Sequence, residues 1–111
     1  MARLNYLELP VGDLAGSSLF FEAAFGLKLQ AYGPTYAATD GEHADLGLQA
    51  DPAERTAAPL PVIEVDDVDA AARAVEAAGG AITRPVFAFP GGRRFHLREP
   101  SGNELACWER G

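Results

Sequence analysis

Apolar and polar residues alternate near the start of the chain, with Leu7, Leu9 and Val11 set against Tyr6 and Glu8. A period of two marks a half-buried strand. The period then changes. Leu14, Phe21, Ala24 and Phe25 form an apolar stripe at helical spacing. Asp13 stands where an N-cap carboxylate accepts an orphan backbone N–H, and Gly26 falls where the residue after a helix needs a positive φ. Strand-like runs at 27–32, 35–39 and 43–50 follow, broken by Gly33-Pro34 and Asp40-Gly41. The first half of the chain is thus predicted to run strand, helix, strand, strand, strand.

The second half repeats this order. Residues 10–26 laid over 64–80 match at six positions: Val11/Val65, Asp13/Asp67, Glu22/Glu76, Ala23/Ala77, Ala24/Ala78 and Gly26/Gly80. Pro61, Ile63 and Val65 mark the strand and Asp67 the cap. Val68, Ala71, Ala72 and Val75 make the helical stripe, and Gly79-Gly80 the stop. Further strands are expected at 81–84, 93–98 and 103–109, separated by Phe89-Pro90-Gly91-Gly92 and by Glu99-Pro100-Ser101-Gly102-Asn103, whose Pro and Gly suit tight turns. A fixed internal repeat of this kind signals duplicated structural units. The expected architecture is α+β, one domain over 1–111 with module one at 1–50, a linker at 51–58 and module two at 59–111.

Composition narrows the function. The 111 residues, 48% hydrophobic and 23% charged, suit one globular domain with its own core and exclude disorder. Nine basic against sixteen acidic side chains give a net charge of −7, which argues against a nucleic-acid partner. No run approaches the roughly 20 apolar residues of a membrane span. MARLNYLELPV enters a strand pattern at once rather than a secretory leader. The single cysteine, Cys107, has no internal disulfide partner, which fits a reducing, cytoplasmic setting. No Walker loop, GxSxG elbow, HExxH or CxxC motif occurs.

Three stretches, YLELPVGDLAGSSLFFEAAFGLKL (6–29), VIEVDDVDAAARAVEAAGGAI (62–82) and RRFHLREPSGNELACWE (93–109), resemble the vicinal-oxygen-chelate superfamily of glyoxalases, extradiol dioxygenases and bleomycin-resistance proteins. EPSGNEL stands where that family usually carries Asp-Pro-Asp-Gly-Asn before its closing strand. The resemblance implies two tandem βαβββ modules forming a curled mixed sheet around a ligand cavity, often in a homodimer. It also implies, in metal-dependent members, one ligand on the first and one on the last strand of each module. Those four places fall here on Tyr6, Gly47, Leu60 and Ala106, of which only tyrosine has a donor side chain. No metal and no cofactor are therefore expected.

Alternation selects the side chains opposite the core. His43, Asp45, Gly47 and Gln49 share one face of their strand; Arg94, His96 and Arg98 share one, as do Glu104, Ala106 and Trp108. Tyr6 and Glu8, and Leu60, Val62 and Glu64, do so on the opening strands. Matching faces through the EPSGN turn puts His96 opposite Ala106 and Arg98 opposite Glu104, about 5 Å apart. Tyr6, Glu8, Val62, His96, Glu104 and Trp108 are the candidate ligand-binding residues. His96 is either a ligand contact or base, or a strand histidine without a role. Glu8 and Glu64 either meet a ligand or are solvated at a rim, Tyr6 and Trp108 offer aromatic walls, and Glu104 is expected to pair with Arg98. Arg93 and Arg94 form either an anion grip or a solvated hairpin tip. Cys107 and the helix-facing residues belong to the core.

The expected function is binding of a small organic molecule, in a glyoxalase- or bleomycin-resistance-like protein without the usual metal ligands. The alternative is a lyase, isomerase or dioxygenase of the same superfamily, metal-free or with a displaced metal site.

Overall fold

A computed structural model describes all residues, 1–111. The chain is α+β, with eight strands and two helices: β1 (Arg3–Pro10), α1 (Leu14–Phe25), β2 (Gln30–Ala31), β3 (Tyr36–Ala38), β4 (Asp45–Gln49), β5 (Leu60–Glu64), α2 (Val68–Ala77), β6 (Ala81–Phe89), β7 (Gly92–Arg98) and β8 (Glu104–Arg110). It divides into two compact units, Tyr6–Leu60 and Met1–Asn5 with Pro61–Gly111.

The duplication seen in the sequence holds in the strand pairing. In the first module β1 runs parallel to β4, β4 antiparallel to β3, and β3 antiparallel to β2. In the second, β5 runs parallel to β8, β8 antiparallel to β7, and β7 antiparallel to β6. Each module thus mixes one parallel pair, reached by a helical crossover, with two antiparallel ones.

Both helices begin as their caps dictate. Asp13 accepts from Gly16 N at 3.1 Å, and Gly26 closes α1 at φ 70°. Asp67 accepts from Asp69 N and Ala70 N, while Val68 N donates to Glu109 Oε1 on β8 at 3.0 Å. Arg93 bonds both Glu109 and Asp69, so it fastens β7 and β8 to the start of α2 and is neither a solvated tip nor an anion grip.

One face of β8, β7 and β6 packs on α2. Val68, Phe95, Leu97 and Cys107 form its centre, with Val65, Ala71, Ala72, Val75, Ile82, Val86 and Leu105 around them. Burial pushes the Cys107 thiol up to about 11, so little thiolate forms at neutral pH. The native protein is expected to react with a thiol reagent such as Ellman's reagent at least tenfold more slowly than protein unfolded in denaturant. Equal rates would show that Cys107 is not held in this core.

The structure departs from the sequence pattern in three places. β2 is two residues long instead of the six expected. β6 runs straight through Pro85 to Phe89, where a break after Arg84 was expected; its pairing with β7 shifts register between Arg84 and Phe87, which accommodates a residue with no N–H to give. The third departure is α1. Leu14, Ser17, Ser18 and Phe21 are its half-buried positions, whereas Ala24 and Phe25 of the expected stripe are exposed, as are Leu19 and Phe20. Two serines occupy the inward positions, so the apolar residues do not fall on the inward face.

Candidate functional site

In the first module the parallel register of β1 and β4 sets Glu8 beside Gly47, and β3 sets Ala38 on the other side of Gly47. Tyr6, Glu8 and Tyr36 share this face. Tyr36 Oη donates to Glu8 Oε1 at 3.0 Å, and the hydroxyls of Tyr6 and Tyr36 are hydrogen-bonded to each other. With the Tyr36 proton committed to Glu8, Tyr6 is the donor to Tyr36. Burial first, then the adjacent Glu8 carboxylate, pushes the Tyr36 phenol far above its ordinary value, so it stays protonated throughout the physiological range. Gly47 makes this possible: a Cβ there would overlap both hydroxyls.

Tyr36 was not among the candidates from sequence. Its signal was its place in a short strand antiparallel to the one carrying Gly47, on the same alternating face. His43 lies in the bend before β4, exposed and away from this group.

In the second module the face away from α2 carries Val62 and Glu64 on β5, Ala106 and Trp108 on β8, and Arg94 and His96 on β7. The expected register holds, with His96 opposite Ala106, Arg94 opposite Trp108 and Arg98 opposite Glu104. Val62 pairs with Ala106 on the other side. Val62, His96 and Ala106 are buried.

Glu104 does not pair with Arg98. Its Oε2 accepts from His96 Nδ1 at 3.3 Å, and Arg98 donates to the Gly102 carbonyl oxygen at 2.8 Å. Arg98 is exposed at the hairpin end and reaches along the turn rather than across the strands. Glu64, buried rather than at a solvated rim, accepts from Arg3 at 3.0 Å and Asn5 at 2.8 Å, with Arg110 at 3.4 Å. Desolvation would raise its pKa, but these donors outweigh it and hold the carboxyl below the usual range.

Aromatic rings flank the histidine face. The Phe87 ring centroid lies 6.0 Å from that of His96, and Phe89 lies 6.2 Å from Trp108. The Arg84 guanidinium stands 3.7 Å over the Phe87 ring, and that of Arg110 4.9 Å over Trp108.

Burial, and then the Arg94 guanidinium, lowers the His96 pKa, only partly offset by Glu104. His96 is thus neutral at pH 7, and the bond from Nδ1 to Glu104 leaves Nε2 as the acceptor. The linkage has a definite sign. The unfolded histidine, with its pKa near 6.5, binds a proton that the folded one resists, so stability falls as pH drops below about 6.5. This slope is expected to vanish in His96→Gln, measured by denaturant unfolding between pH 7.5 and 5. A slope of the same size in the variant would place its origin elsewhere. The depressed carboxyls of Glu64 and Glu99 act at lower pH, below their ordinary range.

Of the side chains at Tyr6, Gly47, Leu60 and Ala106, only that of Tyr6 carries a donor atom. The one hydroxyl among them is engaged with Tyr36, and no three His, Cys, Asp or Glu side chains stand together anywhere in the chain.

The βαβββ duplication with a first strand parallel to a last is that of the glyoxalase fold. The chain belongs to the Glyoxalase/Bleomycin resistance protein/Dioxygenase superfamily, whose family model matches residues 3–107. Solved structures share the fold. A Bacillus halodurans hypothetical protein matches with TM-score 0.81 at 14% identity, covering 99% of this chain and 95% of its own. Methylmalonyl-CoA epimerase from Mycobacterium tuberculosis matches with TM-score 0.79 at 16% identity, covering 97% and 87%. A Legionella pneumophila protein described as an NAD-dependent benzaldehyde dehydrogenase matches with TM-score 0.78 at 19% identity, covering 96% and 99%. No curated protein sequence matches the chain. No helix is long and apolar enough to cross a membrane.

Proposed function

We propose that this protein binds a small organic molecule without the divalent metal that many of its superfamily use. The observation that carries the reading is His96. It is buried, its Nδ1 is held by Glu104, and its Nε2 has no partner, beside a residue, Ala106, that contributes only a methyl. A buried acceptor left unpaired is costly, and a ligand donor would relieve that cost. Val62 and Trp108 on the same sheet face are the further contacts proposed, with Glu104 holding His96 in place. The donor-poor set at the four places where relatives hold a metal supports a metal-independent site.

The His96–Glu104 pair also supports a second reading, a metal-free lyase or isomerase in which His96 Nε2 takes a proton from substrate. Turnover that His96→Gln abolishes while ligand binding survives would favour it. The unpaired Cys107 supports a cytoplasmic setting, and the apolar side chains exposed on α1 support a homodimer.

Thermal shift tests the main reading. A ligand present at a hundredfold excess over its Kd stabilises by about 2.7 kcal/mol, whereas divalent ions are expected to leave Tm unchanged. Stoichiometric metal in protein purified without chelators, or ion-dependent stabilisation, would overturn the metal-independent site. A broad library of small organics that leaves Tm unmoved would overturn binding.

A further inference from the structure

Two buried ring nitrogens on the strand face away from α2 have no hydrogen-bond partner, Nε2 of His96 and Nε1 of Trp108. His96 is 3% exposed. The two residues are diagonal neighbours on β7 and β8, because His96 pairs with Ala106 and Trp108 follows two residues later, about 7–8 Å across the sheet. Their chemistry is opposite. Glu104 takes the hydrogen on Nδ1, so His96 Nε2 offers a lone pair. The indole N–H can only donate.

One molecule satisfying both must carry a donor and an acceptor. Its charge is also constrained. The charged groups around this face are already engaged, Arg84 and Arg94 with the Phe87 and Phe89 rings, Arg110 with Glu64 and the Trp108 ring, and Glu104 with His96, so neither sign of ligand is selected. Phe87 beside His96 and Phe89 beside Trp108 add flat apolar surface. A planar neutral group with both functions is a carboxamide or lactam.

Resting on the small-molecule reading above, we propose that this face of the second module binds an uncharged planar amide, its N–H donating to His96 Nε2 and its carbonyl accepting from Trp108 Nε1. Glu104 is a positioning residue: it touches no ligand and acts by fixing which His96 nitrogen carries the hydrogen.

The chain supplies its own reporters, since Trp108 is its only tryptophan and His96 one of two histidines. Benzamide is the probe. Titration is expected to change Trp108 fluorescence saturably and to move the Trp108 Nε1–H and His96 Nε2 resonances in nitrogen-15 NMR spectra. Benzonitrile keeps the ring and an acceptor but has no donor, and is expected to bind at least tenfold more weakly. Glu104→Leu should weaken benzamide at least tenfold and shift the His96 tautomer. Glu104→Gln, whose side-chain oxygen still accepts from Nδ1, should restore both.

Three results would overturn the proposal: benzonitrile binding as tightly as benzamide, benzamide saturating while both ring nitrogens stay unmoved, or no benzamide response up to its solubility. If the thermal screen still finds binders in those cases, the amide assignment fails alone. If it finds none, the small-molecule reading fails with it.

Discussion

Phe95→Ala is expected to destabilise the protein by about 3–5 kcal/mol, the range for emptying a fully buried aromatic site. Phe95 is 0% exposed and sits at the centre of the packing between α2 and β7, against Val68, Leu97 and Cys107. Its removal leaves a hole that strands cross-linked by a ladder of backbone hydrogen bonds close only in part. Phe95→Leu, which keeps most of the volume, should cost under about 2 kcal/mol. The informative control is Phe25→Ala on α1. That ring is 67% exposed, in contact with the rings of Phe20 and Phe21, and at protein concentrations that keep the chain monomeric its loss should cost under about 0.5 kcal/mol. Chemical denaturation at two protein concentrations reads all three. A Phe25→Ala cost that approaches that of Phe95→Ala and grows with concentration would show that α1 is covered by a second copy in solution. A small Phe95→Ala cost would contradict the packing itself.

The contrast between these two phenylalanines shows what the sequence carries and what it does not. Caps are local: Asp13, Asp67, Gly26 and Gly79 each act on backbone groups within a few residues, and all stand where the pattern put them. The face of a strand in a regular hairpin is nearly as local, because one turn, Glu99 to Asn103, fixes the register of β7 on β8 and with it the opposition of His96 and Ala106. The partner of a long side chain is not local. Glu104 has Arg98 directly opposite, yet it bonds His96 diagonally, because the buried imidazole needs an acceptor while the exposed guanidinium finds a carbonyl along the turn. Helix α1 defeats the stripe rule for a related reason. Apolar spacing locates a face only when the inward positions are themselves apolar, and here Ser17 and Ser18 lie inward. The strand expected at 81–84 runs on through Pro85 to Phe89, and a register shift against β7 lets it do so.

Gly47→Ala carries the second large expected effect, a loss of about 2–4 kcal/mol from a single added methyl. The family resemblance implies that Gly47 is a place where a donor side chain is missing. The structure shows why none can stand there: the space belongs to the hydroxyls of Tyr6 and Tyr36, which meet over the glycine. A methyl must displace one phenol and so break the chain of bonds from Tyr6 through Tyr36 to Glu8. A mutant cycle separates this account from a general intolerance of β4. With Tyr6 and Tyr36 both changed to Phe, the hydroxyls are gone but the ring carbon Cζ at position 6 remains 2.8 Å from the added methyl, so the cost should fall to about 1–2 kcal/mol, a coupling of about 1–2 kcal/mol between the glycine and the two phenols. An unchanged cost in the double-phenylalanine background would mean that the strand, not the phenols, rejects the side chain. The same cycle bears on the metal-independent reading. If the phenols hold this place, a carboxylate introduced at Gly47 must evict them before it can reach an ion, so Gly47→Glu is expected to lose stability and gain no Tm response to divalent cations.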